Sequence, residues 1–145
     1  MRNRTTPPNE NYDGTLRHAG LRPTRQRLAL AKLLFERGHR HVTAEDLRAE
    51  ATKAGVRVSL ATVYNTLHQF TAAGLLRPVN VEGSRSYFDT NTVDHHHFYC
   101  EDDGRLVDIE GSAIKLAGLP PPPPGATVDR VEVIVRVKPK DRTLE

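Results

Sequence analysis

The spacing of apolar residues predicts amphipathic helices in the first half of the chain. Thr24 precedes a run of good helix formers, which Gly38 ends. Thr43, followed by Asp46, forms a capping-box pattern for a second helix over about residues 44–53. In the first of these helices, apolar side chains recur every three or four positions and share one face: Leu28, Ala31, Leu34 and Phe35.

A third helix is predicted from residue 60 to about residue 73, with Ser59 as its cap and Gly74 as its end. Its buried stripe comprises Leu60, Val63, Leu67 and Phe70. The opposite face has no Lys or Glu and carries small or uncharged groups: Ala61, Thr62, Asn65, His68 and Gln69, with Tyr64 on the flank. Such groups can approach base edges at a small desolvation cost, and this composition favours contacts with DNA bases.

Two short strands follow the third helix and predict a wing. They span about residues 76–81 and 85–89, and Glu82-Gly83-Ser84 between them is typical of a tight turn. Three helices and a hairpin together predict a winged helix-turn-helix. Arginines near the first helix and on the wing can neutralise phosphates, although a wing arginine can equally be a solvated edge residue: Arg22, Arg25, Arg27, Arg77 and Arg85.

Three consecutive histidines mark the second half of the chain. In an extended strand, His95 and His97 project from one face and His96 from the other. With Asp89 upstream and Asp108 downstream, the pattern favours a transition-metal or haem site over a solvated histidine-rich loop.

Further on, the five prolines of 120–124 predict a rigid extended connector. The alternating valines of 131–137 predict a strand that completes a dimer sheet.

Composition limits the class of protein. At 145 residues with 37% hydrophobic residues and no Trp, the chain can build small cores but not a deep enzyme interior. Residues 1–89 hold 14 Lys and Arg against 8 Asp and Glu, whereas residues 90–145 hold 7 against 10, so a basic half precedes an acidic one. A single cysteine, no apolar run near 18 residues and no signal-peptide core predict a cytoplasmic protein without a membrane span or disulfide.

Six separated blocks resemble the ferric uptake regulator superfamily: residues 21–27, 41–47, 59–67, 86–91, 95–97 and 106–110. Together they are most similar to its iron-response regulator (Irr) branch, over about residues 20–138. The resemblance implies an α+β fold with an N-terminal winged helix-turn-helix domain, residues 1–89, which includes a flexible tail of about residues 1–11. A small α/β dimerisation and metal- or haem-sensing domain, residues 90–145, follows.

The resemblance also implies a homodimer that binds an inverted-repeat operator in double-stranded DNA. It further implies that this homodimer regulates, mainly as a repressor, genes of haem biosynthesis and iron homeostasis, and that a haem-synthesis enzyme is a further partner. The residues implied in DNA binding are Arg22, Arg25, Arg27, Thr62, Tyr64 and Asn65.

The implied regulatory metal ligands are His41, Asp89, His95, His97 and Asp108. Imidazoles with carboxylates suit Fe(II) or Mn(II), and Zn(II) in vitro. A hairpin turn at Asp102-Asp103-Gly104 would fold Asp108 back towards His97. Haem is the implied effector, with His95, His96 and His97 as candidate ligands. A structural zinc site of four cysteines, present in many relatives, is impossible because Cys100 has no companion.

Two alternatives remain open. A peroxide-sensing repressor of the same superfamily would hold iron at His41, Asp89 and His95 and could oxidise a histidine ligand. A non-haem iron enzyme is the remote alternative, because two histidines and one carboxylate are its minimal site. That hypothesis gives the basic half no role, so we expect no enzyme activity.

Overall fold

The computed structural model describes residues 8–82 and 85–140, and the chain divides into two compact units, Met1–Thr92 and Val93–Glu145. The predicted boundary lay after residue 89. The first unit contains helices α1 (Pro8–His18), α2 (Arg25–Phe35), α3 (Ala44–Lys53) and α4 (Leu60–Ala72), and strands β1 (His41–Val42), β2 (Arg77–Glu82) and β3 (Arg85–Asp89). The second contains β4 (His95–Cys100), β5 (Arg105–Glu110), a 3₁₀ turn (Gly111–Ala113) and β6 (Ile134–Val137).

The three predicted helices are present, and each begins at its predicted cap. Thr24 accepts a hydrogen bond from the backbone N–H of Arg27 at 3.2 Å. Thr43 and Asp46 each accept from the other's backbone N–H, which completes the capping box of α3. Ser59 caps α4 by accepting from the N–H of Thr62 at 3.1 Å.

The helices pack around a core of fully buried side chains, and a small sheet completes the winged helix. Apolar residues from every helix contribute to the core, among them Leu16, Leu30, Leu34, Leu47, Val63, Leu67 and Phe70. The strands run antiparallel in the order β1-β3-β2. The two-residue strand β1 was not predicted. Residues 83–84 of the predicted turn, and the side chain of Arg85, lie outside the described residues.

Helix α1 corrects the prediction of a tail over residues 1–11. Residues 1–7 lie outside the described residues, but a helix begins at Pro8. Its sequence has poor helix propensity, and tertiary packing stabilises it. Leu16 is fully buried, and the Tyr12 ring lies 6.2 Å from the Phe35 ring, centroid to centroid. Burial, with a smaller effect of Glu36, raises the pKa of Tyr12 above its ordinary value.

The second unit is a three-stranded sheet in the order β5-β4-β6. Strands β4 and β5 form the predicted hairpin, in which the N–H of Gly104 (φ 74°) donates to the Cys100 carbonyl at 2.8 Å. Strand β6 pairs parallel to β4 and is shorter than the predicted 131–137. The predicted α+β fold is confirmed. Among the described residues of this unit, however, the helical part is only the 3₁₀ turn.

Few apolar side chains of the second unit are buried. Among its described residues, Leu106 is the single buried hydrophobic side chain. One face of the sheet is only partly covered, and we call it the apolar sheet face: Phe98, Val107, Ile109, Val135 and Val137. Phe98 and Val107 are 38% and 37% exposed. No helix within the described ranges of the chain is both long and apolar enough to cross a membrane.

Candidate metal centre and nucleic-acid interface

Strand β4 presents two imidazoles on one face of the second sheet, as the period of a strand requires. His97 lies directly opposite Asp108 of β5 in the antiparallel register. The Nε2 atoms of His95 and His97 lie 3.4 and 3.6 Å from the same carboxylate oxygen of Asp108. Both histidines are buried, at 4% and 0% exposure. Two buried imidazoles therefore converge on one carboxylate, whose side chain is itself 36% exposed.

The hydrogen bond of His95 determines which of its nitrogens can bind a cation. Its Nδ1 contacts the backbone carbonyl of Val93, which can only accept, so Nδ1 carries the proton. The lone pair then belongs to Nε2, the atom that points at Asp108. A ring N–H held by a backbone carbonyl is the usual support of a metal-binding histidine.

His96 faces the other side of the sheet and has a different partner. The backbone N–H of Val133 donates to its Nδ1 at 3.0 Å. Because Nδ1 accepts here, the proton of the neutral ring lies on Nε2. His96 thus connects β4 to the residue just before β6. As a haem ligand it would have to lose this hydrogen bond or the Nε2 proton.

The first unit contributes the other two predicted ligands. His41 of β1 lies opposite Asp89 of β3, and its Nε2 is 3.2 Å from Oδ2 of Asp89. The second carboxylate oxygen accepts from the N–H of Asn91 at 2.9 Å. Asp89 is fully buried. The predicted ligands are therefore grouped as a pair, His41 and Asp89, in the first unit, and as a triad, His95, His97 and Asp108, in the second.

These donor atoms fit a divalent transition metal. Imidazole nitrogens and carboxylate oxygens are borderline to hard ligands, which suit Fe(II), Mn(II) and Zn(II) better than Cu(I). A metal ligand also needs a free lone pair, and Nε2 of His95 has one because the proton of the ring lies on Nδ1. Cys100 is a free, half-buried thiol, and one cysteine cannot supply four thiolates.

Helix α4 exposes the polar face that was predicted for it. Asn65, His68 and Gln69 are exposed, and Thr62 and Tyr64 are half-buried. The Tyr64 ring stacks on His68 with 6.2 Å between centroids, and its hydroxyl lies 3.4 Å from a carboxylate oxygen of Glu45. Tyr64 is therefore positioned by two neighbours rather than being a free surface ring.

A polar cleft of about 290 Å³ lies between the start of α2 and α4. Its lining includes four of the six predicted DNA-binding residues: Arg22, Arg27, Thr62 and Asn65. The Arg27 guanidinium donates to the Arg22 carbonyl at 2.9 Å and to the Gln69 side chain at 3.1 Å. Arg25 is exposed at the first turn of α2 but does not line the cleft, nor does Tyr64.

Arg77 does not lie where a wing arginine would contact phosphate. Only 5% of it is exposed. It is opposite Asp89 in the register of β2 and β3. Its side chain therefore lies on the same, buried face of the sheet formed by β1, β3 and β2, the wing sheet, as that carboxylate. This burial could not be predicted from the sequence, because the register of a short hairpin depends on tertiary packing.

Arg40 is a further residue near the site that no sequence pattern predicted. Its guanidinium donates to both carboxylate oxygens of Glu50 and to the Leu33 carbonyl. Its backbone is paired with Thr90. Arg40 thereby fixes the segment next to His41, and the separation of ten residues between Arg40 and Glu50 matches no local sequence pattern.

Comparison with known proteins gives consistent matches. Residues 18–117 match the model of the ferric uptake regulator family. The chain is 38% identical over 102 residues to a ferric uptake regulation protein of Klebsiella pneumoniae, covering 70% of this chain and 66% of that protein. It is 36% identical over 101 residues to the peroxide-responsive repressor PerR of Staphylococcus aureus, covering 70% and 68%. The chain thus spans about two thirds of the length of these relatives.

The fold is also similar to a solved structure, the ferric uptake regulator of Pseudomonas aeruginosa with manganese. The TM-score is 0.69 at 28% identity, and the match covers 89% of this chain and 98% of that one.

Proposed function

The chain belongs to the ferric uptake regulator family, and from this premise we propose that it is a metal-responsive transcription regulator that binds DNA as a homodimer. The observation that carries the proposal is the convergence of His95 and His97 on Asp108 in a chain whose other unit is a winged helix. A cation site and a base-reading helix are the two parts that such a regulator needs. The cation site alone would also suit a non-haem iron enzyme, but the winged helix has no role in that alternative.

The proposed metal ligands are the triad of the second unit and the pair of the first: His95, His97, Asp108, His41 and Asp89. Fe(II) and Mn(II) are the proposed metals, with Zn(II) able to bind in vitro, in keeping with a manganese-containing relative. A bound metal would supply positive charge that compensates the carboxylates of Asp89 and Asp108.

The experiment that tests this proposal is a metal titration of wild type and of the double variant His95→Ala/His97→Ala. We expect Mn(II) binding, measured by calorimetry, to be lost in the variant. A DNA fragment is first selected from a random library by the Mn(II)-loaded wild type. Mn(II) should raise the affinity of wild type for this fragment, and the double variant should lose this increase together with Mn(II) binding. The matched control is His18→Ala/His39→Ala, which removes two exposed histidines. A double variant that binds Mn(II) as wild type does would refute the site.

For DNA binding we propose two groups of residues. Arg22, Arg25 and Arg27 would contact phosphates, because they are partly or fully exposed around the start of α2. Thr62, Tyr64 and Asn65 would contact base edges from α4. The polar cleft supports this division, because it places two of the arginines beside two of the α4 residues.

The proposed dimer rests on the second unit. One buried apolar side chain cannot stabilise a sheet, and the apolar sheet face offers the area that a second copy would cover. Such a face on a symmetric dimer would be self-complementary.

Haem is the second candidate effector, as expected for the Irr branch. The chain supports it by its consecutive histidines and by the absence of a four-cysteine zinc site. Haem should lower the affinity of the wild type for DNA and leave the affinity of a His95, His96 and His97 triple alanine variant unchanged. Because His96 holds the backbone of Val133, we expect His96→Ala alone to keep most haem binding. Equal release of DNA by the triple variant would exclude a haem site at these three histidines.

Peroxide sensing remains the alternative within the family, and the relative PerR favours it. Hydrogen peroxide should then abolish DNA binding by the Fe(II)-loaded protein but not by the Mn(II)-loaded protein. Mass spectrometry of tryptic peptides would find an added oxygen on a histidine. An unmodified protein that keeps its DNA affinity would eliminate this alternative.

A further inference from the structure

Three ionisable side chains form a row across the wing sheet. Asp89 of the central strand lies opposite His41 on one side and opposite Arg77 on the other. Residues directly opposite in an antiparallel pair project from the same face, with Cβ atoms about 4.5–5.5 Å apart. The carboxylate of Asp89 is therefore flanked by a proposed metal ligand and by a guanidinium-bearing residue.

The row is shielded from solvent. Asp89 is fully buried, Arg77 is 5% exposed, and the His41 side chain is 14% exposed. A guanidinium stays protonated in proteins, so Arg77 carries its charge into this interior. A charge in such a place is tolerated only with an opposite charge close by, and Asp89 is the acidic residue that the register places opposite it.

We propose that Arg77 is the resident counter-cation of Asp89 and that it weakens metal binding at the pair of His41 and Asp89. The inference rests on the proposed metal site and adds a residue that sets its affinity. A carboxylate already compensated by a fixed positive charge gains less from a divalent cation, and that cation meets repulsion from the arginine. Arg77 would thus keep the regulator metal-free until the metal concentration is high enough to overcome this repulsion.

The test compares the Mn(II) affinity of three variants with that of wild type, by competition with a fluorescent chelator. Arg77→Met keeps much of the side-chain length and removes the charge, so we expect the dissociation constant to fall by about tenfold or more. Arg77→Lys keeps the charge and should stay within about threefold of wild type. Arg37→Met is the matched control, because it removes an exposed arginine of the same unit, and its affinity should be unchanged.

A merely structural arginine gives a different result. Arg77→Met would then unfold at lower temperature with and without Mn(II), and its affinity would be unchanged or weaker, which would overturn the proposal. If Arg77→Met does not fold, Arg77→Gln takes its place. Saturating Mn(II) should restore the fold of either variant, because the bound cation replaces the missing charge. Failure of both to fold with Mn(II) would also overturn the proposal.

Failure of this inference is distinguishable from failure of the proposed function. If wild type binds Mn(II) through His95 and His97, and Arg77→Met binds it equally well, the regulator stands and the role of Arg77 falls. If wild type binds no divalent metal, the metal site itself is wrong, and the inference falls with it.

Discussion

Adjacent histidines on β4 have different roles because the strand turns them to opposite faces. His95 directs Nε2 at Asp108, whereas His96 accepts a backbone hydrogen bond from Val133. The alternation itself follows from the sequence, since a strand has a period of two. The partner of His96 could not be predicted, because Val133 is 37 residues away in the chain.

This difference leads to a prediction at His96. His96→Ala should lower the free energy of unfolding by about 1 kcal/mol, since the Val133 N–H loses its acceptor, and should leave Mn(II) affinity unchanged. His96→Asn offers an oxygen near the position of Nδ1 and should recover part of the loss. Chemical denaturation and a Mn(II) titration provide the two measurements. A large drop in Mn(II) affinity would assign His96 to the metal site.

Replacing Tyr64 and replacing Arg27 should change DNA affinity in different ways. Tyr64→Ala should cost about 1–3 kcal/mol of binding to the selected DNA fragment and little on random DNA. Arg27→Ala should weaken binding to both DNAs alike, because its guanidinium would contact the backbone phosphates. Fluorescence anisotropy with both DNAs measures the two effects. An equal loss on both DNAs for Tyr64→Ala would remove its base-reading role.

At the level of elements, the sequence predicted those helices whose caps and apolar spacing lie within one short segment of the chain. Helices α2, α3 and α4 follow from their caps and apolar spacing, since cap and helix are close in the chain. Helix α1 was missed because its stability comes from burying Leu16, not from propensity. Strand β1 has two residues, too few for a periodic pattern, and it exists because β3 pairs with it.

The same contrast applies to the candidate site. Its histidines could be predicted from spacing and resemblance, whereas the burial of Arg77 could not, because it depends on which residue lies across the sheet. The helix caps and the histidine face are properties of short segments. The register of the wing is a property of the whole first unit.

The contribution of the α3 capping box to stability can be measured by replacing Thr43. Thr43→Ala removes the acceptor for the Asp46 N–H and should cost about 1 kcal/mol of stability. Thr43→Ser keeps the hydroxyl and should cost less. Urea denaturation of both variants, followed by the helical circular dichroism signal, measures the difference. Equal losses would mean that the buried Thr43 methyl group, not the cap, stabilises this end of the helix.

For the whole molecule, the apolar sheet face predicts how association can be broken. Phe98→Asp would bury a charge in the proposed interface, so we expect monomers in sedimentation velocity. Val128→Asp places the same charge outside the sheet, at an exposed position, and should remain dimeric. Wild type should also remain dimeric after chelation, because apolar burial and not a metal would hold the copies together. Monomers after chelation would contradict this.

The scarcity of buried apolar side chains in the second unit makes the metal response depend on the concentration of the protein. If that sheet is complete only in the dimer, the triad of His95, His97 and Asp108 is well ordered only in associated chains. Mass action then links the number of copies to the response, because dilution below the dissociation constant of the dimer lowers the apparent affinity for the ion. A cell could therefore shift the threshold of the regulator simply by making more or less of it.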